Sequence, residues 1–481
     1  MEICYHAHID REIESLIERI HPPRVCIEND SCPDCTVVKQ VDSANRKGIL
    51  LEMVQVLTDL DLIISKSYIS SDGGWCMDVF HVTDEAGKKL TDETLMLHIQ
   101  QELCATRSKR EISRDTEMVS QKAPQAQQQN VPKENTALEM SVTDRPGLLS
   151  ELSAVLVELG CSVTSAMAWT HNDRVACIIF LEDASSPGPI SDPERLGLVE
   201  EQLENVVAAH GETGQKKSVR VTTLGTGRTH TERRLHQLMY ADRDYESCRA
   251  CDGDSSGEHK KGCDGTHVSV GRCEDKGYLV VNVRSRDRPK LLFDTVCVLT
   301  DMQYVVFHAA ISSKRSMAHQ EYFIRNCKGS LALPSEREKE ELTLCLIAAI
   351  ERRVSHGLMV DIRTDNRMGL LSNVTRVFRE NGLSISRFEI GTEGEKAVGS
   401  FFVTDSSGEE VNPDIVELVR QASGGSVVTD HKSPHRVHQS SSSSDINETM
   451  GSMEPKPKFS LGSLLWSRLE RLSGGFGPLR S

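Results

Sequence analysis

Asp144-Arg145-Pro146-Gly147-Leu148-Leu149 decides how this chain folds. Before it, Leu138-Glu139-Met140-Ser141-Val142 alternates apolar and polar residues, the pattern of a half-buried strand. After it, Leu148, Leu149, Leu152, Val155, Leu156 and Leu159 recur at helical spacing. The six residues are therefore a strand-to-helix turn. Asp144 is placed to cap the helix with its carboxylate. Pro146 suits a first turn, where no N–H donor is required, and Gly147 lets another group approach the backbone.

The turn occurs four times. The other copies are Asn45-Arg46-Lys47-Gly48-Ile49-Leu50, Asp287-Arg288-Pro289-Lys290-Leu291-Leu292 and Asn366-Arg367-Met368-Gly369-Leu370-Leu371. Each opens an apolar helical stripe, and Leu62–Ser70, Cys161–Thr170, Tyr304–Ser313 and Leu383–Thr392 follow as strands. A second strand and a second helix complete each copy, so the chain is read through one repeated supersecondary unit. Ser71-Asp72-Gly73-Gly74 is a strong hairpin turn inside the first copy.

The four units occupy about 36–112, 136–223, 278–353 and 357–430. Residues 108–135, 224–277 and 431–458 are low in apolar content and read as flexible linkers or disordered stretches. Within the second of these, Thr231–Tyr240 has the pattern of a short helix. Residues 9–20 form another amphipathic helix, and Arg24–Glu28 is a candidate extra strand. Only a few residues join repeats three and four, which predicts that those two pack as a rigid pair. Phe459–Leu472 is apolar with two arginines, fitting either a partner or membrane surface or the protein's own domains.

The net charge of −15 over 481 residues argues against general nucleic-acid binding, which depends on basic side chains neutralising phosphates. Fifteen cysteines are many, but Cys177 and Cys297 lie on apolar faces and read as buried thiols of a reducing compartment. The opening residues lack both the basic-then-apolar order of a signal peptide and the acid-poor composition of a transit peptide. No apolar run is long enough to span a bilayer. The expected location is cytoplasm, nucleus or both.

Strand, helix, two strands, helix and a returning strand make an α+β, ferredoxin-like βαββαβ unit, a fold that hosts many functions. The strands Val175–Leu181 and Val398–Val403 lack the aromatic signature of RNA-recognition modules, and only 4% of the chain is aromatic. The four turns hold no cysteine pair of the kind metal-chaperone domains use there. The turn itself is the signature of the ACT domain, a small-molecule sensor. The chain resembles the ACT-domain-repeat proteins of plants in Asp42-Ser43-Ala44-Asn45-Arg46, in the second and third turns, and in His230-Thr231-Glu232-Arg233-Arg234-Leu235-His236-Gln237. That resemblance covers about residues 9–430. It implies four tandem ACT domains that bind amino acids, as do similar domains of bacterial glutamine-sensing uridylyltransferases.

The catalytic apparatus of such enzymes is missing from the sequence. No Gly-Ser turn is followed by paired aspartates, and no adjacent His-Asp pair is present for a phosphohydrolase metal. The leading reading is a non-catalytic amino-acid sensor acting on an unidentified protein partner. The alternative is an interaction scaffold whose repeats no longer bind ligand. The expected ligand is a free amino acid, glutamine being one candidate, with its α-carboxylate at a helix N-terminus. Candidate binding residues are Asn45, Arg46, Gly48, Asp144, Arg145, Gly147, Asn366, Arg367 and Gly369. The arginines either face the ligand or are simply solvated. Lys290 narrows the backbone approach in the third repeat. No catalytic residue, cofactor or metal is expected. Cys248, Cys251, Cys263, His267 and Cys273 are weighed as a zinc set against free thiols in a loop. Cys32-Pro33-Asp34-Cys35 precedes a strand, whereas a redox pair should start a helix. Because ACT domains usually pair, a homodimer is also open.

Overall fold

The computed structural model describes residues 24–44, 48–72, 75–115, 135–186, 188–209, 218–224, 230–246, 265–273, 277–314, 316–327, 335–354, 357–405, 411 and 414–431. The helix expected at 9–20, the apolar stretch at 459–472 and the linker 431–458 from Lys432 onward lie outside them.

Repeat one runs β1 (Arg24–Glu28), β2 (Thr36–Ala44), α1 (Ile49–Asp59), β3 (Ile63–Asp72), β4 (Trp75–Thr83) and α2 (Glu93–Asp115). Repeat two runs β5 (Asn135–Thr143), α3 (Leu148–Glu158), β6 (Cys161–His171), β7 (Arg174–Asp183), α4 (Pro193–Ala208) and β8 (Ser218–Leu224), followed by α5 (Thr231–Ala241). Repeat three runs β9 (His267–Cys273), β10 (Tyr278–Arg286), α6 (Leu291–Asp301), β11 (Tyr304–Lys314), β12 (Met317–Asn326) and α7 (Glu336–Glu351). Repeat four runs β13 (Leu358–Asp365), α8 (Leu370–Glu380), β14 (Leu383–Glu393), β15 (Lys396–Asp405), α9 (Asp414–Ser423) and β16 (Ser426–His431). The fold is α+β and ferredoxin-like throughout.

The repeats assemble by skipping one. Repeats one and three share an eight-stranded sheet ordered β1-β2-β4-β3-β11-β12-β10-β9, and repeats two and four share another ordered β16-β13-β15-β14-β6-β7-β5-β8. The chain divides accordingly into two units, the boundary falling inside α7 between Thr343 and Leu344. The expected pairing of repeats three and four is thus overturned. A short junction limits distance, but it does not choose which sheet edges meet. In the second unit Phe388 of β14 lies opposite Ala168 of β6, and Ile390 opposite Ala166. The small residues of one repeat make room for the large ones of the other, and Phe388 is wholly buried. In the first unit Ala309 of β11 faces Ile69 of β3 in the same way. The ACT pairing that the sequence left open to a homodimer is made within one chain.

The edge strands also differ between units. Repeats two and four finish with the returning strands β8 and β16, which pair with β5 and β13. Repeats one and three fill that edge with their first strands, β1 and β9, which pair antiparallel with β2 and β10. The region 224–277 therefore contributes a helix and a strand, and α2 extends to Asp115, into the stretch read as a linker.

One core spans repeats two and four, from Leu138, Met140 and Leu152 to Val374, Phe378 and Phe401. At the crossing of α3 and α8, the hydroxyls of Ser153 and Thr375 lie 3.1 Å apart in the buried seam. On the other sheet face of this unit, Leu235, Leu238 and Met239 of α5 cover Met167, Trp169, Ala176 and Ile178.

Candidate functional site

All four turns share one backbone geometry. Gly48, Gly147, Lys290 and Gly369 sit at the helix N-caps with φ of 86°, 81°, 63° and 79°, in the left-handed region. Glycine reaches this conformation without strain, and a side chain rarely does. None of the four helices has a side-chain cap. The expected capping by Asp144 is corrected: α3 begins beyond Gly147, too far along for that carboxylate. Asp144 instead donates its backbone N–H to the Asp173 carbonyl at 2.9 Å, tying the turn to the β6–β7 hairpin. Asp287 and Asn366 make the same bond to Ser316 and Glu395, at 2.8 and 2.9 Å. The motif's first residue thus anchors the turn through its main chain.

The described arginines of the turns are not merely solvated. Arg145 holds Glu151 with two bonds, Nη1 to Oε1 at 3.0 Å and Nη2 to Oε2 at 2.5 Å, and reaches the Val206 carbonyl at 3.4 Å. Arg288 pairs with buried Asp294 at 2.7 Å. Arg367 donates to the carbonyls of Ala422 and Ser423, at 2.6 and 3.0 Å. In repeats two and four the arginine therefore clamps the turn to the end of that repeat's second helix. The spacing of six from arginine to acid, which Arg46 and Glu52 also carry in sequence, was a readable signal for this role. Asn45 and Arg46 lie outside the described residues.

Two cavities open at the turns of the second unit, and each is walled by the other repeat. Asp144, Gly147, Leu148 and Ser150 face Arg379, Ser384 and Ile385 across a space of about 340 Å³, including the part open to solvent. Asn366, Arg367, Gly369 and Ser372 face Val157, Cys161 and Thr164 across about 410 Å³ measured the same way. First-turn amides without side-chain caps line both, and helix N-termini favour anions. The cavities differ where α8 and α3 contribute equivalent positions. Arg379 stands over Gly147, where a Cβ would come within 2.7 Å of its Cδ. Val157 stands over Gly369, 3.7 Å from the same hypothetical atom. Burial and the nearby Asp173 raise the Asp144 carboxyl to about 6, although the Arg145 amide and guanidinium favour its charged form. Arg379 was not among the expected site residues: it lies far along the chain from Gly147 and only the pairing of repeats brings it there. Gly48 has Thr300 as its nearest neighbour, with a Cβ expected 3.8 Å from the methyl group.

Of the candidate zinc set of the 248–273 loop, only His267 and Cys273 lie among the described residues, and they are far apart. Cys248, Cys251 and Cys263 lie outside the described residues, while His267 and Cys273 close opposite ends of β9. Six residues of extended strand separate those two by about 20 Å, so they cannot hold one ion.

Residues 31–110 match the family model for the ACR family N-terminal ACT domain, and residues 136–207 and 359–424 match the ACT domain. ACT domain-containing protein ACR1 of Arabidopsis thaliana is 53% identical over 98% of both chains. The chain belongs to the ACR family of ACT-domain proteins. ACT domain-containing protein ACR3 of the same plant is 48% identical over 90% of this chain and 92% of its own. A bifunctional uridylyltransferase/uridylyl-removing enzyme of Azospirillum brasilense is 39% identical over 17% of this chain and 9% of its own. In this ACR protein the His230–Gln237 motif builds α5 and its anchors. Arg234 holds Glu139 with two bonds of 2.8 and 2.7 Å, Glu232 accepts from Arg353 at 2.7 Å, and His236 lies edge-on to Trp169 at 4.9 Å between centroids.

Proposed function

We propose that this ACR protein is a non-catalytic amino-acid sensor whose ligand occupies the two cavities between repeats two and four. The observation carrying this reading is that each turn of the second unit opens toward a wall supplied by the other repeat. A ligand in either cavity touches both repeats. Its carboxylate meets uncapped helix amides, and in the Asp144–Ser150 cavity it also meets Arg379. Occupancy then changes how α3 and α8 pack, and a partner protein reading that packing is coupled to the ligand. Glutamine is one candidate, and the arrangement fixes the α-carboxylate rather than the side chain.

The test is a thermal-shift screen of the full chain with each of the twenty amino acids at millimolar concentration. A ligand that binds only the folded state raises Tm. One responding amino acid, or a small related group, supports a sensor; no response with any of them favours the scaffold reading. Cytoplasm and nucleus are the proposed locations. No disulfide joins any two of the eleven described cysteines, in keeping with a reducing compartment. Fluorescent fusions found in plastids or secreted would contradict that location.

A further inference from the structure

We propose that Cys32, Cys35 and His81 bind one zinc ion in the first unit, with a water molecule completing a tetrahedron. The ligand atoms of the three residues lie within 4.8 Å of one another. The Cys35 thiol donates to His81 Nδ1 at 3.3 Å. Zinc with bonds of about 2.3 Å to sulfur and 2.0 Å to nitrogen sets sulfur and nitrogen roughly 3.5 Å apart, so the cluster needs little rearrangement. On binding, the ion takes the place of the thiol protons, which leave to solvent.

The loop carrying the cysteines is held in place from several sides. Lys89 donates to the Cys32 carbonyl at 2.7 Å and also to the Asn29 carbonyl. Asn29 Nδ2 donates to the Leu90 carbonyl at 3.0 Å, and Thr36 Oγ1 donates to Asn29 Oδ1 at 2.7 Å while accepting from the Leu90 amide at 3.0 Å. His81 projects from β4, with Tyr68 edge-on to its ring at 6.2 Å between centroids. Two cysteines on a braced loop and a histidine on a central strand form an organised donor set, of the soft sulfur and imidazole type that zinc prefers. A redox role fits less well, because the cysteines join β1 to β2 in sequence rather than opening a helix, as a redox pair does. The ion would fasten the β1–β2 loop to β4, and β1 is the strand that holds the sheet edge beside β2.

The test uses the full chain, reduced and stripped by a chelator, titrated with zinc against a chromophoric competitor. Cobalt provides a thiolate charge-transfer band as a second readout. Wild type is expected to take up one more tight equivalent than C32S, C35S or H81A, and the cobalt band should fall in the same variants. C104S is the control and should match wild type. C32S alters a loop residue, so circular dichroism should show it folded. Amide exchange in residues 24–28 should slow when zinc is added to wild type and not to C32S. Equal zinc uptake by wild type and a folded C32S would overturn the site. So would a Cys32–Cys35 disulfide that forms in air and is not blocked by stoichiometric zinc.

Discussion

Arg352 and Asp244 form a two-pronged ion pair inside the second unit, Nε to Oδ2 at 2.7 Å and Nη2 to Oδ1 at 2.6 Å, with both residues buried. His171 Nδ1 donates to the same carboxylate at 2.9 Å, and Arg352 Nη1 donates to His236 Nδ1 at 3.0 Å. The group joins α5, the β6–β7 hairpin and the residue after α7. Removing one partner leaves a buried charge alone, a loss of roughly 3–5 kcal/mol. Asp244→Ala should therefore strongly destabilise the second unit, as read by denaturant unfolding. Replacing the pair together, as Asp244→Leu with Arg352→Met, should recover much of that loss.

The same cluster sets a pH window for α5. Burial opposes the charge on Asp244, but Arg352 and His171 outweigh it and hold the carboxyl below its usual range. Burial likewise opposes charge on His171, while Asp244 and Glu351 raise it on balance. The Asp244 contribution is complete above the ordinary carboxylate value, about 4, and is lost as pH falls further. The His171 contribution is complete below about 6.5 and is lost as pH rises through its raised value. Protection factors for amide exchange in residues 231–241, with intrinsic exchange divided out, should be largest between these limits and smaller on both sides. A profile flat from pH 3 to 9 would show that these charges do not hold the helix.

Lys290 occupies a conformation that its three counterparts meet with glycine. An L-residue there costs about 1–2 kcal/mol, offset in part by the greater freedom glycine has when unfolded. Lys290→Gly should stabilise the first unit by about 1 kcal/mol, and Gly48→Ala should destabilise it by a similar amount. Denaturant midpoints at unchanged m-value measure both.

Asp78 lies in the first unit opposite Gln40 on β2 and Ile69 on β3, almost fully buried. Its Oδ1 has no partner among the described residues. Burial raises its carboxyl to about 7. The folded state thus keeps a proton that the unfolded chain releases near pH 4, so stability falls as pH rises between those values, with a slope of about 1.4 kcal/mol for each pH step of one. Asp78→Asn should gain stability over wild type through pH 4–7 and hold that gain above it. Equal Tm for the two at pH 8 would place the carboxylate in contact with solvent or a cation.

Much of this architecture was readable because the turn is local. Strand, positive-φ residue and apolar stripe all fall within about twenty residues, so the predicted strands Cys161–Thr170 and Leu383–Thr392 end within one residue of those observed. The pairing of repeats one with three and two with four was not readable, since it depends on size matching such as Ala168 against Phe388. Strand β9 was hidden by its composition: among His267-Val268-Ser269-Val270-Gly271-Arg272-Cys273 only Val268 is buried. The site divides in the same way. Gly147 could be read from its own turn, whereas Asp144 acts through its main chain, bonded to the β6–β7 hairpin rather than capping the helix. The roles of Arg145 and Arg379 depended on a helix end in one case and on another repeat in the other.

The contrast between Arg379 and Val157 gives the sharpest test of the binding site. Replacing Gly147 by valine would confuse binding with folding, because φ is positive and the new side chain would strike Arg379. Arg379→Ala avoids both problems, because the residue is exposed and the change leaves Gly147 in place. If the ligand's carboxylate uses this guanidinium, the variant loses one charge-assisted contact worth about 1.5–3 kcal/mol, roughly a ten- to hundredfold weaker Kd at the Asp144–Ser150 cavity. The Asn366–Ser372 cavity, whose equivalent residue is Val157, should keep its affinity. Calorimetry on the full chain with the responding amino acid should show one affinity changed and one retained, with an unchanged Tm in the absence of ligand. Unaltered binding in Arg379→Ala would mean that the carboxylate is held by the turn amides alone. Equal weakening at both cavities would mean that the two are coupled through the α3–α8 seam at Ser153 and Thr375.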